Sequence, residues 1–293
     1  MSILVATDFS DDARSALRMA AAEAKKRGVH LSVLHCVDSV GEKWEYLEDA
    51  PENVEQQVKK AARKRLEEEF DDAVPREKQP KVDDFLVLEG HAAEGIVETA
   101  NSGDFELVVV GATGGGALAR LVLGSTAEEV VRASETPVLV VPAGSDPDSI
   151  ARILAPVDLS ECSRASLLVA SERARREAAE LLVMHVSTLP AGALALMEWE
   201  PSEEERQAHR NFTSQQFADF MASVDLEGLD YDEVIRFGAP DREIVQAARD
   251  RDADLIVMGT HGRRGFERLF LGSTATKVLR RIPCPVLTIR HRE

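Results

Sequence analysis

The chain has 293 residues, with 35 Lys and Arg against 52 Asp and Glu and a net charge of −17. That length allows two ordinary domains with a core each, and the acidity argues against a nucleic-acid partner, whose phosphates it repels without a local basic face. The opening MSILVATDFSDD has no basic n-region, no apolar stretch approaches a membrane span, and Cys36, Cys162 and Cys284 lack a C-x-x-C spacing, so no signal peptide, no membrane, no zinc centre and a cytoplasmic location with reduced thiols are expected.

Taken in chain order, short β-branched runs at 3–6, 31–37, 82–88, 107–110 and 138–141 alternate with helical stretches at 11–27, 51–73, 92–102 and 125–134. The runs lack strict alternation, as strands buried on both faces of a parallel sheet do. Ser10 or Asp11 opens the first helix, and Pro51 and Pro201 sit near the first position of theirs. The same plan then recurs. ILVATDFSDDARSAL (3–17) realigns with ILAPVDLSECSRASL (153–167) at an offset of 150, His35 falls on His185, and Gly90 falls on Gly238 at an offset of 148. The reading is α/β: two homologous doubly wound, five-stranded, Rossmann-like domains in tandem, at 1–146 and 147–293, joined near PAGSDPDSI.

Ligands of such sheets bind beyond the carboxyl ends of the strands, where strand order reverses. The fourth strand of each repeat is followed there by a glycine frame. GATGGGALARLVLGST runs from Gly111 to Thr126, and GTHGRRGFERLFLGST from Gly259 to Thr274. Glycines without Cβ let backbone N–H groups approach an anion, and Gly124-Ser125-Thr126 and Gly272-Ser273-Thr274 start helices, whose N-termini favour negative charge. A Walker A lysine is absent. GGGALA (114–119) fits G-x-G-x-x-A, but its counterpart is GRRGFE, so a dinucleotide fingerprint is set aside. Asp8 and Asp158 also suit helix starts. His35 and His185 read as locally bonded structural groups, and His91 and His261 fall on loops at the same end.

The frame G-x-x-G-(nine)-G-[ST], the early TDFS and VDLS and the LH of strand two resemble the universal stress protein family, twice over and across essentially the whole chain. The resemblance implies its ATP-binding branch. It places ribose at Asp8 and Asp158, with Thr7 alongside but Val157 in the other copy. Adenine lies at the end of strand two, near Val186, with Gly238 and Met258 adjoining. The phosphates lie on Gly111, Thr113, Gly114, Gly124, Ser125 and Thr126 in the first copy, and on Gly259, His261, Gly262, Arg263, Gly272, Ser273 and Thr274 in the second, with Mg²⁺ bridging them. It also implies a pseudo-dimer of the halves, with PVLVV and PVLTI as pairing edge strands, alongside a regulatory protein partner and a possible homodimer. Residues 1–146 carry 16 basic and 28 acidic residues and 147–293 carry 19 and 24, so the second copy is expected to bind the tighter. No efficient catalysis is expected. Slow ATP hydrolysis or phosphoryl transfer, and a structural module with vestigial sites, are the alternatives.

Overall fold

The structure is a computed structural model that describes residues 1–38, 54–114, 123–148, 150–189, 200–260 and 271–290. The chain divides into two compact units, Met1–Ser149 with Leu279–Thr288, and Ile150–Val278 with Ile289–Glu293.

In the first unit β1 (Ser2–Ala6), β2 (His30–Val37), β3 (Val82–Glu89), β4 (Phe105–Gly111) and β5 (Val138–Val141) lie in the order β3-β2-β1-β4-β5. All four pairings are parallel. Residues Ile3, Leu4, Val5, Leu107, Val108, Val109 and Leu139 are buried, as strands covered on both faces must be. The covering helices are α1 (Asp11–Arg27), α2 (Val54–Ala73), α3 (Ala92–Ser102) and α4 (Ser125–Ala133). Helix α1 packs on β1 and β4 and touches α2, while α3 packs on α4. β10 (Val286–Ile289) pairs antiparallel with β5, Leu287 opposite Leu139, so the PVLVV and PVLTI strands do meet.

The second unit holds β6 (Arg152–Val157), β7 (Glu180–Ser187), β8 (Tyr231–Phe237) and β9 (Leu255–Gly259) in the order β9-β6-β7-β8, all parallel. Its helices are α5 (Glu161–Glu177), α6 (Glu203–Ala222), α7 (Pro240–Asp250) and α8 (Ser273–Leu279). Strand order reverses between β1 and β4 in one unit and between β6 and β9 in the other, which sets the carboxyl ends of those strands at the switch point. Helix α6 starts two residues after the proline expected near its first position. Ser202 is the N-cap and forms a capping box with Glu205, leaving Pro201 outside the helix. Pro51 lies outside the described residues.

Helix α1 ends on Gly28 in the left-handed region at φ 69°, and its repeat-mate α5 ends on Ala178 at φ 52°. Both N–H groups reach back to the carbonyl four residues earlier, Ala24 and Ala174. A left-handed residue with a Cβ costs roughly 1–2 kcal/mol, which glycine avoids at some cost in unfolded-state entropy. Ala178→Gly is therefore expected to stabilise the second unit by about 0.5–1 kcal/mol, read as slower hydrogen exchange of the α5 amides. Faster exchange would show that Ala178 sits without strain.

Candidate functional site

The turn from β1 into α1 is built by its own side chains. Thr7 Oγ1 accepts from Phe9 N–H at 3.0 Å and Asp8 Oδ1 accepts from Ser10 N–H at 3.0 Å. Ser10 in turn caps α1 by accepting from Ala13 N–H. Phe9 is thereby held at φ 66°, a conformation a bulky residue rarely takes. The second repeat copies the turn. Leu159 stands at φ 66°, Asp158 Oδ1 accepts from Ser160 N–H at 3.1 Å and from the Ser160 hydroxyl, and Ser160 caps α5. Val157 lacks the Thr7 hydroxyl, and the turn forms without it. Such strain persists only where surroundings over-determine it, and it clusters at ligand sites.

Behind this turn stands the strand-two histidine. His35 Nδ1–H donates to the Thr7 carbonyl at 2.8 Å, and His185 Nδ1–H to the Val157 carbonyl at 2.8 Å. A carbonyl only accepts, so the proton sits on Nδ1 in both. The Phe9 ring rests 4.4 Å from the His35 ring, and Arg65 lies over Phe9 at 4.0 Å. These contacts give the histidines the structural role the sequence suggests.

In the first unit the carboxyl ends of β1, β2 and β4 open into a cleft of about 180 Å³. All eight site residues expected in this repeat line it: Thr7, Asp8, Gly111, Thr113, Gly114, Gly124, Ser125 and Thr126. Its apolar wall is made of Ala6, Leu34, Cys36, Ala92, Ile96 and Val110. Burial pushes the Cys36 thiol up to about 11, so it faces the cleft neutral. His91 is the N-cap of α3 and stands outside this lining. Gly124 is the N-cap of α4 and offers no side-chain cap, while its own N–H is spent on the Ala112 carbonyl at 2.8 Å. Ser125, Thr126 and Ala127, the first residues of α4, whose N–H groups have no partner within the helix, line the cleft. A Cβ on Gly114 would lie 3.0 Å from Asp8 Oδ2, so the frame's second glycine and the strand-one carboxylate face each other closely.

The first glycine of each frame has a different physical reason. A Cβ on Gly111 would meet Ala13 N at 2.9 Å and the Asp12 carbonyl carbon at 3.0 Å; one on Gly259 would meet Cys162 Sγ at 2.8 Å. Both positions let a helix N-terminus press against a strand end, independently of any ligand.

Sequence reasoning missed Asp12. Its carboxylate is buried, and Oδ2 accepts from both the N–H of Thr113, at 2.7 Å, and the Thr113 hydroxyl. An acid in a helix's first turn reads as a partner of the helix dipole, and its repeat-mate is Cys162, so no symmetry marks it.

The second unit shows part of the same arrangement. Gly272 N–H donates to the Thr260 carbonyl at 2.8 Å, as Gly124 does to Ala112. Ser273 and Thr274 open α8, Met258 and Gly259 end β9, and Val186 lies near the end of β7. Gly238 follows β8 at φ 153°, with Glu243 packed where a Cβ would project; its repeat-mate Gly90 stands at φ 109°. His261, Gly262 and Arg263, with Arg264 and Arg268, lie outside the described residues. Among the described residues no cluster of metal-ligating side chains occurs, and no helix is long and apolar enough to cross a membrane.

The universal stress protein family matches the chain twice, over residues 1–142 and 149–290. Universal stress protein Rv2005c of Mycobacterium tuberculosis is 27% identical over 99% of this chain and 97% of its own length. A universal stress protein of Thermus aquaticus is 36% identical over 48% of this chain and 97% of its own. In fold, the crystal structure of a universal stress protein from Archaeoglobus fulgidus superposes with a TM-score of 0.64 at 21% identity, over 99% of this chain and 98% of that one. The chain belongs to the universal stress protein family, with two such domains in tandem.

Proposed function

We propose that the protein is an ATP-binding regulator in which each repeat offers one nucleotide site. The observation that carries this reading is the first-unit cleft. An apolar wall, a strained turn presenting Asp8, a glycine loop and an uncapped start of α4 meet in one opening. A flat apolar wall suits a purine, a carboxylate suits ribose hydroxyls, and main-chain N–H groups at a helix start suit phosphate. In the second repeat Asp158, Val186, Gly259, Gly272, Ser273 and Thr274 would do the same work, with His261, Gly262 and Arg263 adding donors and charge. Mg²⁺ would come with the nucleotide as the counter-ion of its phosphates, and Ser125 and Thr126, or Ser273 and Thr274, are the hydroxyls at that end of each site. The protein's own groups bind and orient. The only titratable side chains lining the described part of the cleft are Asp8, His35 and Cys36, which supports a binder whose output is an occupancy-dependent contact with a regulatory protein, in preference to an efficient ATPase.

Calorimetric titration of Mg·ATP into nucleotide-stripped protein tests this. Two sites are expected, the tighter one in the second repeat, where the charge balance is less acidic. Gly114→Val is expected to weaken only the first site, and Gly262→Val only the second. Each should lose about tenfold or more, the equivalent of one charge-assisted hydrogen bond. Absence of heat and of any protection by ATP in the unaltered protein would reject the reading in favour of a partner module without a ligand.

A further inference from the structure

Resting on the nucleotide reading of the cleft, we propose that Asp12 is a repeat-specific positioning residue that latches the start of the first glycine loop. By setting a carboxylate against that loop, it also makes the first site discriminate against phosphate charge.

Asp12 occupies the first turn of α1, yet Oδ2 bonds out of its own helix to Thr113, 101 residues away. One oxygen takes both the main-chain and side-chain donors of that residue, which fixes its backbone as well as its rotamer. Gly111, two residues earlier, is held against the backbone of Asp12 and Ala13. The chain from Gly111 to Thr113 therefore leaves β4 over a base fixed by α1. Preorganisation of this kind lowers the ordering cost of binding.

The same contact fixes the local charge. Thr113 and Gly114 line the cleft; Asp12 sits against the first at 2.7 Å, and Asp8 faces the second. Two carboxylates thus bracket the loop's entry; the first frame carries one basic residue, Arg120, which lies outside the described residues, against Arg263, Arg264 and Arg268 in the second. The second repeat keeps the Asp8 equivalent, Asp158, but replaces Asp12 with Cys162. That thiol turns away, to the Ile289 carbonyl at 3.5 Å. The first site should therefore gain less than the second from each added phosphate, taking adenosine or its monophosphate almost as well as the triphosphate.

The test uses the full-length protein and the Thr113 amide as a site-resolved NMR probe. In ligand-free protein, Asp12→Ala should speed exchange of the Thr113 amide by about tenfold or more. Asp12→Asn, whose side-chain oxygen still accepts, should keep it protected while the rest of the amide spectrum stays native. Titrations with adenosine, AMP and Mg·ATP then read affinity at this site alone. Asp12→Asn should raise the ATP-to-adenosine affinity ratio by about tenfold, and Asp12→Ala should weaken all three ligands. Unchanged exchange in Asp12→Ala overturns the latch, and an unchanged ratio in Asp12→Asn overturns the charge discrimination. If no nucleotide moves the Thr113 resonance although Asp12→Ala still opens it, the charge discrimination falls together with the nucleotide reading, and the failure is traced to that reading.

Discussion

Gly111→Ala is expected to destabilise the first unit by about 3 kcal/mol, and Gly259→Ala the second unit by only about 1 kcal/mol. The two glycines are repeat-mates with the same job of letting a helix start press on a strand end. What differs is the atom that a new methyl group meets. At Gly111 it meets main-chain atoms, Ala13 N at 2.9 Å and the Asp12 carbonyl carbon at 3.0 Å. Neither moves without shifting α1 off β4. At Gly259 the closest atom is Cys162 Sγ at 2.8 Å, the end of a short side chain, with main chain 3.3 Å away. Rotation of the thiol relieves part of that contact at the cost of its bond to the Ile289 carbonyl. Adding Cys162→Ala to Gly259→Ala should recover about half of the loss, a coupling that a double-mutant cycle isolates. Because the chain has two units, unfolding should be followed by hydrogen exchange of each, not by one global transition. Equal losses at the two positions, or no coupling to Cys162, would refute the steric account.

These glycines show where sequence reasoning stops. The frame itself is legible: its spacing recurs at an offset of 148, and the strand ends it follows are buried β-branched runs. The same logic located every strand of the first unit to within two residues, because strands covered on both faces leave a dense apolar signature. It put the candidate site at the point where strand order reverses, and that reversal is observed between β1 and β4 and between β6 and β9. The reason for each glycine was not legible. Gly111 and Gly114 look alike in one dimension; one abuts the backbone of α1 and the other abuts Asp8. Asp12 was lost for a related reason, since its partner is distant in sequence and a first-turn acid already has a local explanation. The left-handed backbone of Ala178 had a signal only in its repeat-mate Gly28 at the offset of 150, since alanine itself does not suggest that conformation.

Arg27→Met is expected to destabilise the first unit by about 1.5–3 kcal/mol, and Glu23→Leu combined with Arg27→Met to recover most of it. Glu23 is buried to 1% exposure on α1, and its Oε2 accepts from Arg27 Nε at 3.2 Å. Arg27 also reaches Glu106 on β4 at 2.9 Å. Removing the arginine takes a compensating charge away from a buried carboxylate, whereas removing both charges leaves apolar groups of similar size; Glu106, about a quarter exposed, then turns to water. The second repeat inverts the pair. Arg173 stands buried at the Glu23 position and Glu177 at the Arg27 position, four residues apart on α5. The third residue follows the inversion. Asp254, the counterpart of Glu106, accepts from the N–H groups of Ala151 and Arg152, both at 2.9 Å. In the second repeat the reversed polarity thus coincides with an acid at the start of the fourth strand that is bonded to main-chain donors. Glu23→Arg with Arg27→Glu should accordingly fail to restore stability in the first unit, where the new glutamate would face Glu106, and adding Glu106→Gln should rescue it by about 1 kcal/mol or more. A neutral swap without that third change would show that the pair is independent of its neighbour. Thermal and urea unfolding of the four variants, with exchange rates of the α1 amides as the local readout, decides between the two.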